Sequence, residues 1–320
     1  MTIVPVIDVD RDPAAVAGDV DRVCREVGFF QIVGHAVNDH TATEAWAAVA
    51  AFFDLPLEQK QSAEPPHAGY PYGYVPVSGE TLSRSLDRDS APDLKEVLNV
   101  GPIDSPRHEV TEELEHLMFA ASLWPESMPE LRPRLEAYFR DMLGLGERLM
   151  RVFAIALGLP DDFFADKIDR TPSSMRALNY PEQDNPPAPG QLRAGAHTDY
   201  GSFTILRQDD APGGLEVQDP YRDRWVPIPS VDGALVINIG DMLARWTNDR
   251  WRSTMHRVVN PPAGGRTRRQ SIAFFHNANY GCEVVCLPSC SSPDNPPRYA
   301  PVLAGPHLMG KFAKTVEARP

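Results

Sequence analysis

His197 and Asp199, in the run Gly195-Ala196-His197-Thr198-Asp199-Tyr200-Gly201, and a second histidine far downstream, His256, could together hold a metal ion. The residues after the pair (Ser202, Phe203, Thr204, Ile205, Leu206) read as a β-strand. In a strand, positions i and i+2 face the same way, so an imidazole and a carboxylate at that spacing can reach one ion. His256 sits in another strand-like run, Ser253-Thr254-Met255-His256-Arg257-Val258-Val259. Two histidines and one carboxylate, with the opposite side left open, are the ligand set of non-haem iron(II) centres that work with oxygen. Further on, Arg269-Gln270-Ser271 opens the run Ile272-Ala273-Phe274-Phe275. Arg269 and Ser271 would share one face, and a guanidinium beside a hydroxyl suits a carboxylate.

Each of these pieces alone is weak, since a His-x-Asp pair in a chain with nine histidines is usually a surface coincidence. Their order and context carry the weight: His-x-Asp entering a strand, a distant His on a later strand, then Arg-x-Ser on the next.

The elements that must position them are legible in outline. Val4-Pro5-Val6-Ile7-Asp8 reads as a short strand, and Asp12-Pro13 supplies an N-cap and first-turn proline for a helix with Val16, Val20, Val23 and Cys24 on one face and Gly28 as its stop. Phe29-Phe30-Gln31-Ile32-Val33 is the next strand. Thr41-x-x-Glu44 is a capping box for a second helix carrying Trp46, Val49 and Phe53. From 131 to 157, Leu135, Phe139, Met142, Leu145, Leu149, Val152 and Phe153 trace a long support helix, stopped by Gly158-Leu159-Pro160. Strands are then expected at 174–180, 197–206, 214–218, 225–228, 234–239, around His256, from Arg269, and at 283–287. Short strands separated by turn residues indicate an antiparallel sandwich or barrel rather than a βαβ fold. Residues 78–92 are polar and unpatterned, a loop expected near a pocket mouth.

Bulk properties set limits. At 320 residues the chain is near the upper size of one hydrophobic core. A net charge of −13 argues against a nucleic-acid partner, which needs a basic footprint. The 32 prolines sit mostly in loops. No basic leader followed by an apolar stretch and no apolar run near 20 residues marks secretion or a membrane, so a cytoplasmic location is expected. Cys282, Cys286 and Cys290 are evenly spaced but match no zinc pattern; they read as thiols rather than ligands, and disulfides are not expected.

With its flanking residues the sequence resembles the isopenicillin N synthase-like group of iron(II)/2-oxoglutarate-dependent oxygenases. Further matches are 52–60, 69–77, Asp93-Leu94-Lys95-Glu96, and the C-terminal stretch 298–315; Ala36 stands where the family usually has glycine in Gly34-His35-Ala36-Val37. The resemblance implies a mostly β fold with flanking helices around a double-stranded β-helix (jelly-roll) core. It implies a single domain over 1–320, with an N-terminal helical and strand region to about 170, a core over about 171–290 and a C-terminal helix near 303–316. It implies that His197, Asp199 and His256 hold Fe(II), leaving room for 2-oxoglutarate and O2. Arg269 and Ser271 would bind the distal carboxylate of 2-oxoglutarate, with Tyr180 adding a phenolic hydrogen bond. Succinate and CO2 would leave as a small-molecule substrate is oxidised.

Two positions depart from the plant members, which carry asparagine where Leu178 stands and lysine where Arg176 stands. This puts contacts to the proximal carboxylate in doubt and makes Arg176 a candidate for an anionic group on the substrate, against the plainer reading of a salt bridge. Phe275 aligns with a substrate-stacking aromatic, against plain core packing. Two other functions are compatible with the same residues: an oxidase that uses O2 without 2-oxoglutarate, with Arg269 and Ser271 gripping a substrate carboxylate, and a non-catalytic binding protein on the same scaffold.

Overall fold

The computed structural model describes residues 3–82, 91–103, 112–183, 186–262 and 267–316. The N-terminal part contributes β1 (Val6–Asp8), α1 (Pro13–Glu26), β2 (Phe29–Val33), α2 (Asp39–Phe53), α3 (Leu57–Gln61), β3 (Gly73–Val75), β4 (Glu96–Val100), α4 (Glu113–Met118), α5 (Leu131–Ala156) and α6 (Ala165–Ile168). Then follow β5 (Ser174–Tyr180), β6 (Ala194–His197), β7 (Phe203–Gln208), β8 (Leu215–Gln218), β9 (Trp225–Pro227) and β10 (Leu235–Ile239). The chain continues through α7 (Asp241–Trp246), β11 (His256–Val258) and β12 (Arg269–His276), and ends with β13 (Glu283–Val284), β14 (Val302–Leu303) and α8 (Ala304–Val316).

Two sheets face one another across the site. The larger runs β1-β2-β10-β7-β12-β5-β4-β3 and the smaller β6-β11-β8-β9. Between β5 and β12 the chain passes back and forth between them, which is the jelly-roll path. Apart from the parallel β1–β2 pair, the large sheet is antiparallel. The N-terminal strands extend this sheet at both edges, so residues well before 170 help build the barrel wall.

The helices back the large sheet. α5 buries Leu135, Phe139, Met142, Leu145, Leu149 and Phe153. Phe139 meets Phe274 of β12 edge-on at 5.0 Å, and Phe153 meets Phe203 of β7 at 5.2 Å. Each fully buried phenylalanine contributes roughly 2–3 kcal/mol, so the helix fixes from behind the two strands whose other face carries chemistry. Asp12 caps α1 by accepting the Ala15 N–H at 3.0 Å, and Gly28, at φ +68°, ends the approach to β2.

Three local expectations are corrected. The expected strand 197–206 is two strands in different sheets, β6 and β7, joined by an irregular crossing at 198–202. The second helix is capped by Asn38, whose side-chain oxygen accepts the Thr41 N–H at 3.0 Å, so Thr41 lies inside the first turn rather than capping it. The strand expected over 283–287 is only β13, paired with β14; Cys290 lies in a short 3-10 turn beyond it.

Candidate active site

Residues His197 and His256 are direct partners across the antiparallel β6–β11 pair, and their rings lie 4.3 Å apart between centroids. Asp199 lies two residues past the end of β6, in the crossing between the sheets, and not on a strand face. Its Oδ1 is 3.8 Å from His197 Nε2 and 3.7 Å from His256 Nε2. One ligand atom from each residue lies within 4.8 Å of the others, close enough to share one ion, and no other such group of His, Cys, Asp or Glu exists among the described residues.

Every other polar atom of these three side chains is occupied in a way that leaves the metal-facing atom free. The Nδ1–H of His197 donates to the Gly195 carbonyl at 2.7 Å, and that of His256 to the Thr254 carbonyl at 3.2 Å. Each imidazole therefore presents the lone pair of Nε2. Asp199 Oδ2 accepts from Thr204 Oγ1 at 2.5 Å and Asn238 Nδ2 at 2.7 Å, leaving Oδ1 for the ion. Thr204 and Asn238 are themselves register partners on β7 and β10, so the large sheet holds the carboxylate while the small sheet holds the histidines. The crossing is latched by the Asp241 N–H to the Asp199 carbonyl at 2.8 Å and the Met242 N–H to the Gly201 carbonyl. A side chain on Gly240 would sit 2.2 Å from the Gly201 oxygen, so this close approach needs glycine.

The electrostatics around His197 and Asp199 suit a bound cation. Burial, and then the neighbouring His256, pushes His197 down to about 3. Burial alone would raise the Asp199 carboxyl, but His256, His197, Asn238 and Thr204 outweigh it and hold it below the ordinary range. Removing the clamp should loosen the metal: Asn238→Ala is expected to weaken Fe(II) binding about tenfold or more, read by anaerobic titration of the metal-free protein, and unchanged affinity would contradict this role.

Across the cavity, β12 and β5 pair with Arg269 opposite Tyr180, Ser271 opposite Leu178, Ala273 opposite Arg176 and Phe275 opposite Ser174. All eight residues, with the three metal-site residues, line one cavity of about 530 Å³. Arg269 is 1% exposed; its Nη2 donates to Gln208 Oε1 at 2.9 Å, while Nε and Nη1 have no hydrogen-bond partner. Asp209 Oδ1 is 3.8 Å from Nε, beyond hydrogen-bond reach. Leaving two guanidinium N–H groups buried and unpaired is costly, and a carboxylate entering from the cavity would satisfy both. The site therefore fits 2-oxoglutarate at this end. Tyr180 lies between two cations, its ring 5.0 Å from Arg269 and 6.0 Å from Arg193.

Arg193 was not singled out by its sequence context. It is fully buried and donates to the carbonyls of Pro212, Gly213 and Thr267. Burial, and next the charge of Arg269, lowers its pKa. Two guanidiniums beside Asp209 leave a surplus of positive charge among the described residues, which suits the distal carboxylate. Thr204, Asn238 and Gln208 were also missed: each is a polar residue facing inward on a strand, but such residues are common and only the fold shows which of them meet.

Arg176 is corrected in part. It does line the cavity, as its even spacing from Tyr180 requires, but it is not a cation in want of an anion. Its Nη1 is 3.1 Å from Glu80 Oε2, its Nη2 donates to Glu80 Oε1 at 3.4 Å, and its Nε donates to Asn99 Oδ1 at 2.8 Å. Arg176 therefore gives no reason to expect an anionic substrate. Leu178 keeps the wall beside Ser271 apolar, while its neighbour Asn179 faces away and binds Glu96. Residues 78–82 and Pro92 do line the cavity; 83–90, in the same expected loop, lie outside the described residues. Cys282 and Cys286 are free and half-buried, and Cys290 is free and buried.

Comparison with known proteins agrees with this geometry. Residues 172–278 match the family model of the 2OG-Fe(II) oxygenase superfamily, and residues 4–127 match that of the non-haem dioxygenase in morphine synthesis N-terminal region. The 2-oxoglutarate-dependent dioxygenase caaD of Aspergillus niger is 35% identical over 263 residues, 82% of this chain and 78% of that protein. The 2-oxoglutarate-Fe(II) type oxidoreductase hxnY of Emericella nidulans is 32% identical over 325 residues, covering 98% of this chain and 90% of that protein. A full-length Neurospora crassa protein crystallised in complex with alpha-KG superposes with a TM-score of 0.84 at 28% identity, covering 98% of this chain and 96% of its own.

Proposed function

The chain belongs to the 2OG-Fe(II) oxygenase superfamily, and from that premise we propose that it oxidises a neutral, largely apolar small molecule whose polar group meets Arg176, Glu80 and Asn99. The protein is an Fe(II)- and 2-oxoglutarate-dependent dioxygenase acting on small molecules. In the proposed assignment, His197, Asp199 and His256 hold the iron, and Arg269, Ser271 and Tyr180 receive the distal carboxylate of 2-oxoglutarate. Ferrous iron with 2-oxoglutarate supplies the oxidising chemistry, with succinate and CO2 released. The residues of this chain orient the co-substrate through the free Nε and Nη1 of Arg269, keep the His197 imidazole neutral, and exclude bulk water with a wall that includes Phe275, Leu206, Val75 and Leu82. Phe275 would lie against the substrate, a role supported by its place in the cavity lining. A cytoplasmic setting is part of the reading, supported by four free cysteines.

The observation that carries the substrate class is the neutralised Arg176: its charge is balanced by Glu80, so an anion would have to displace a carboxylate already in place. A neutral group with a donor beside an acceptor can instead bind both. The test is to screen neutral and carboxylate-bearing small molecules for stimulation of 2-oxoglutarate-dependent succinate formation. Neutral compounds should stimulate, and both Arg176→Met and Glu80→Gln should raise their KM about tenfold while 2-oxoglutarate affinity stays within twofold. Stimulation by carboxylates alone, lost in Arg176→Met but not in Glu80→Gln, would overturn the reading.

A further inference from the structure

The strand that carries His197 is poorly fastened by its own sheet. β6 has four residues, lies at the edge of the small sheet, and pairs only with the three-residue β11. Even that pairing is irregular: His256 is opposite His197 and Val258 opposite Ala194, so the ladder shifts register at Gly195 and Ala196. An edge strand with a broken register has backbone groups unpaired on its free side and little to set the position of its last residue.

That free side is occupied by the segment around Asp93. Gln191 Nε2 donates to the Pro92 carbonyl at 2.9 Å, the Leu94 N–H to the Leu192 carbonyl at 3.1 Å, and the Gly195 N–H to Asp93 Oδ1 at 2.9 Å. Gly195 is also the residue whose carbonyl receives the Nδ1–H of His197. The Asp93 carboxylate is thus two hydrogen bonds from the imidazole. Its Oδ2 accepts from Lys95 Nζ at 2.7 Å and from the Leu82 N–H at 3.1 Å. Asp93 is 2% exposed and so is Lys95. Neither lines the cavity.

A buried ion pair contributes little net stability, because desolvating two charges offsets their attraction. What Asp93 offers beyond its attraction to Lys95 is acceptor oxygens for two backbone N–H groups, those of Gly195 and Leu82, which an apolar residue could not serve. We propose that Asp93 is a positioning residue for the iron ligand His197: its carboxylate is the strand partner that β6 lacks, and Lys95 holds that carboxylate in place through its other oxygen. The proposal rests on His197 being an iron ligand, and its test separates the two.

The measurement is the Fe(II) affinity of the metal-free protein, by anaerobic calorimetry, beside its thermal unfolding. Asp93→Ala leaves the Lys95 ammonium buried without its nearest carboxylate, so it should lose both stability and iron affinity. The double variant Asp93→Ala/Lys95→Met removes that stranded charge. It should regain part of the melting temperature lost in Asp93→Ala yet bind Fe(II) tenfold or more weakly, because Gly195 still has no partner. In Asp93→Asn the amide oxygen can keep the Gly195 bond, so its iron affinity should fall less than that of Asp93→Ala; this comparison holds even if the double variant fails to fold. A folded double variant with Fe(II) affinity within twofold of native would overturn the proposal, as would equal losses in Asp93→Asn and Asp93→Ala. Failure of the native protein to bind Fe(II), or undiminished binding in His197→Ala, would instead remove the iron-ligand assignment itself.

Discussion

Replacing His197, Asp199 or His256 by alanine is expected to reduce turnover to under about 1% of native and to remove tight Fe(II) binding, with the fold retained. One ion shared by three side chains loses a third of its protein ligands in each variant, and loss of even a supporting hydrogen bond costs roughly 10–100-fold in affinity. The three variants should differ in stability. His197 and His256 each donate one hydrogen bond to a backbone carbonyl and face the cavity, so truncating them disturbs little. Asp199→Ala strands the Thr204 hydroxyl and the Asn238 amide, both buried, at about 1–3 kcal/mol each. It should therefore have the lowest melting temperature of the three in the metal-free state. Full activity in any of them would sink the assignment.

Arg269→Met is expected to weaken 2-oxoglutarate binding about a hundredfold or more, which corresponds to removing one partner of a buried charged pair. Arg269→Lys should fall between that and the native protein, weakening binding about tenfold: the ammonium keeps the charge but cannot present the planar fork in which Nε and Nη1 are the free donors. Fe(II) affinity should stay within about threefold of native in both, because the guanidinium belongs to the large sheet while both histidines belong to the small one. If the two substitutions left 2-oxoglutarate affinity unchanged, the free donors of Arg269 would have another use.

The candidate metal and carboxylate residues are legible because their types are few and their order along the chain is distinctive. His197 and Asp199 do come together, but not as neighbours on one strand face. They converge where the chain leaves one sheet for the other, whereas local alternation implies a single strand, and period-two reasoning cannot see a sheet change. Arg269, Ser271, Arg176 and Tyr180 do follow that period, because β5 and β12 are long and regular. Side-chain pairs between distant residues were out of reach of any local pattern. Arg176 meets Glu80 across 96 positions, and Gly195 meets Asp93 across 102. A charged residue in a loop such as Glu80 looks the same in sequence whether it faces water or an arginine. Asn38 against Thr41 as helix cap shows the same limit at short range, since two capping residues competed within four positions and backbone geometry chose between them.

The most direct measurement is an anaerobic titration of the Fe(II)-loaded native protein with 2-oxoglutarate, followed by oxygen uptake with and without it. One equivalent of 2-oxoglutarate should bind, binding should be lost in Arg269→Met, and oxygen consumption should require 2-oxoglutarate and yield succinate. Oxygen uptake that proceeds equally without 2-oxoglutarate, or a native protein that takes up Fe(II) but no 2-oxoglutarate, would contradict the assignment of Arg269 and of the cavity it closes.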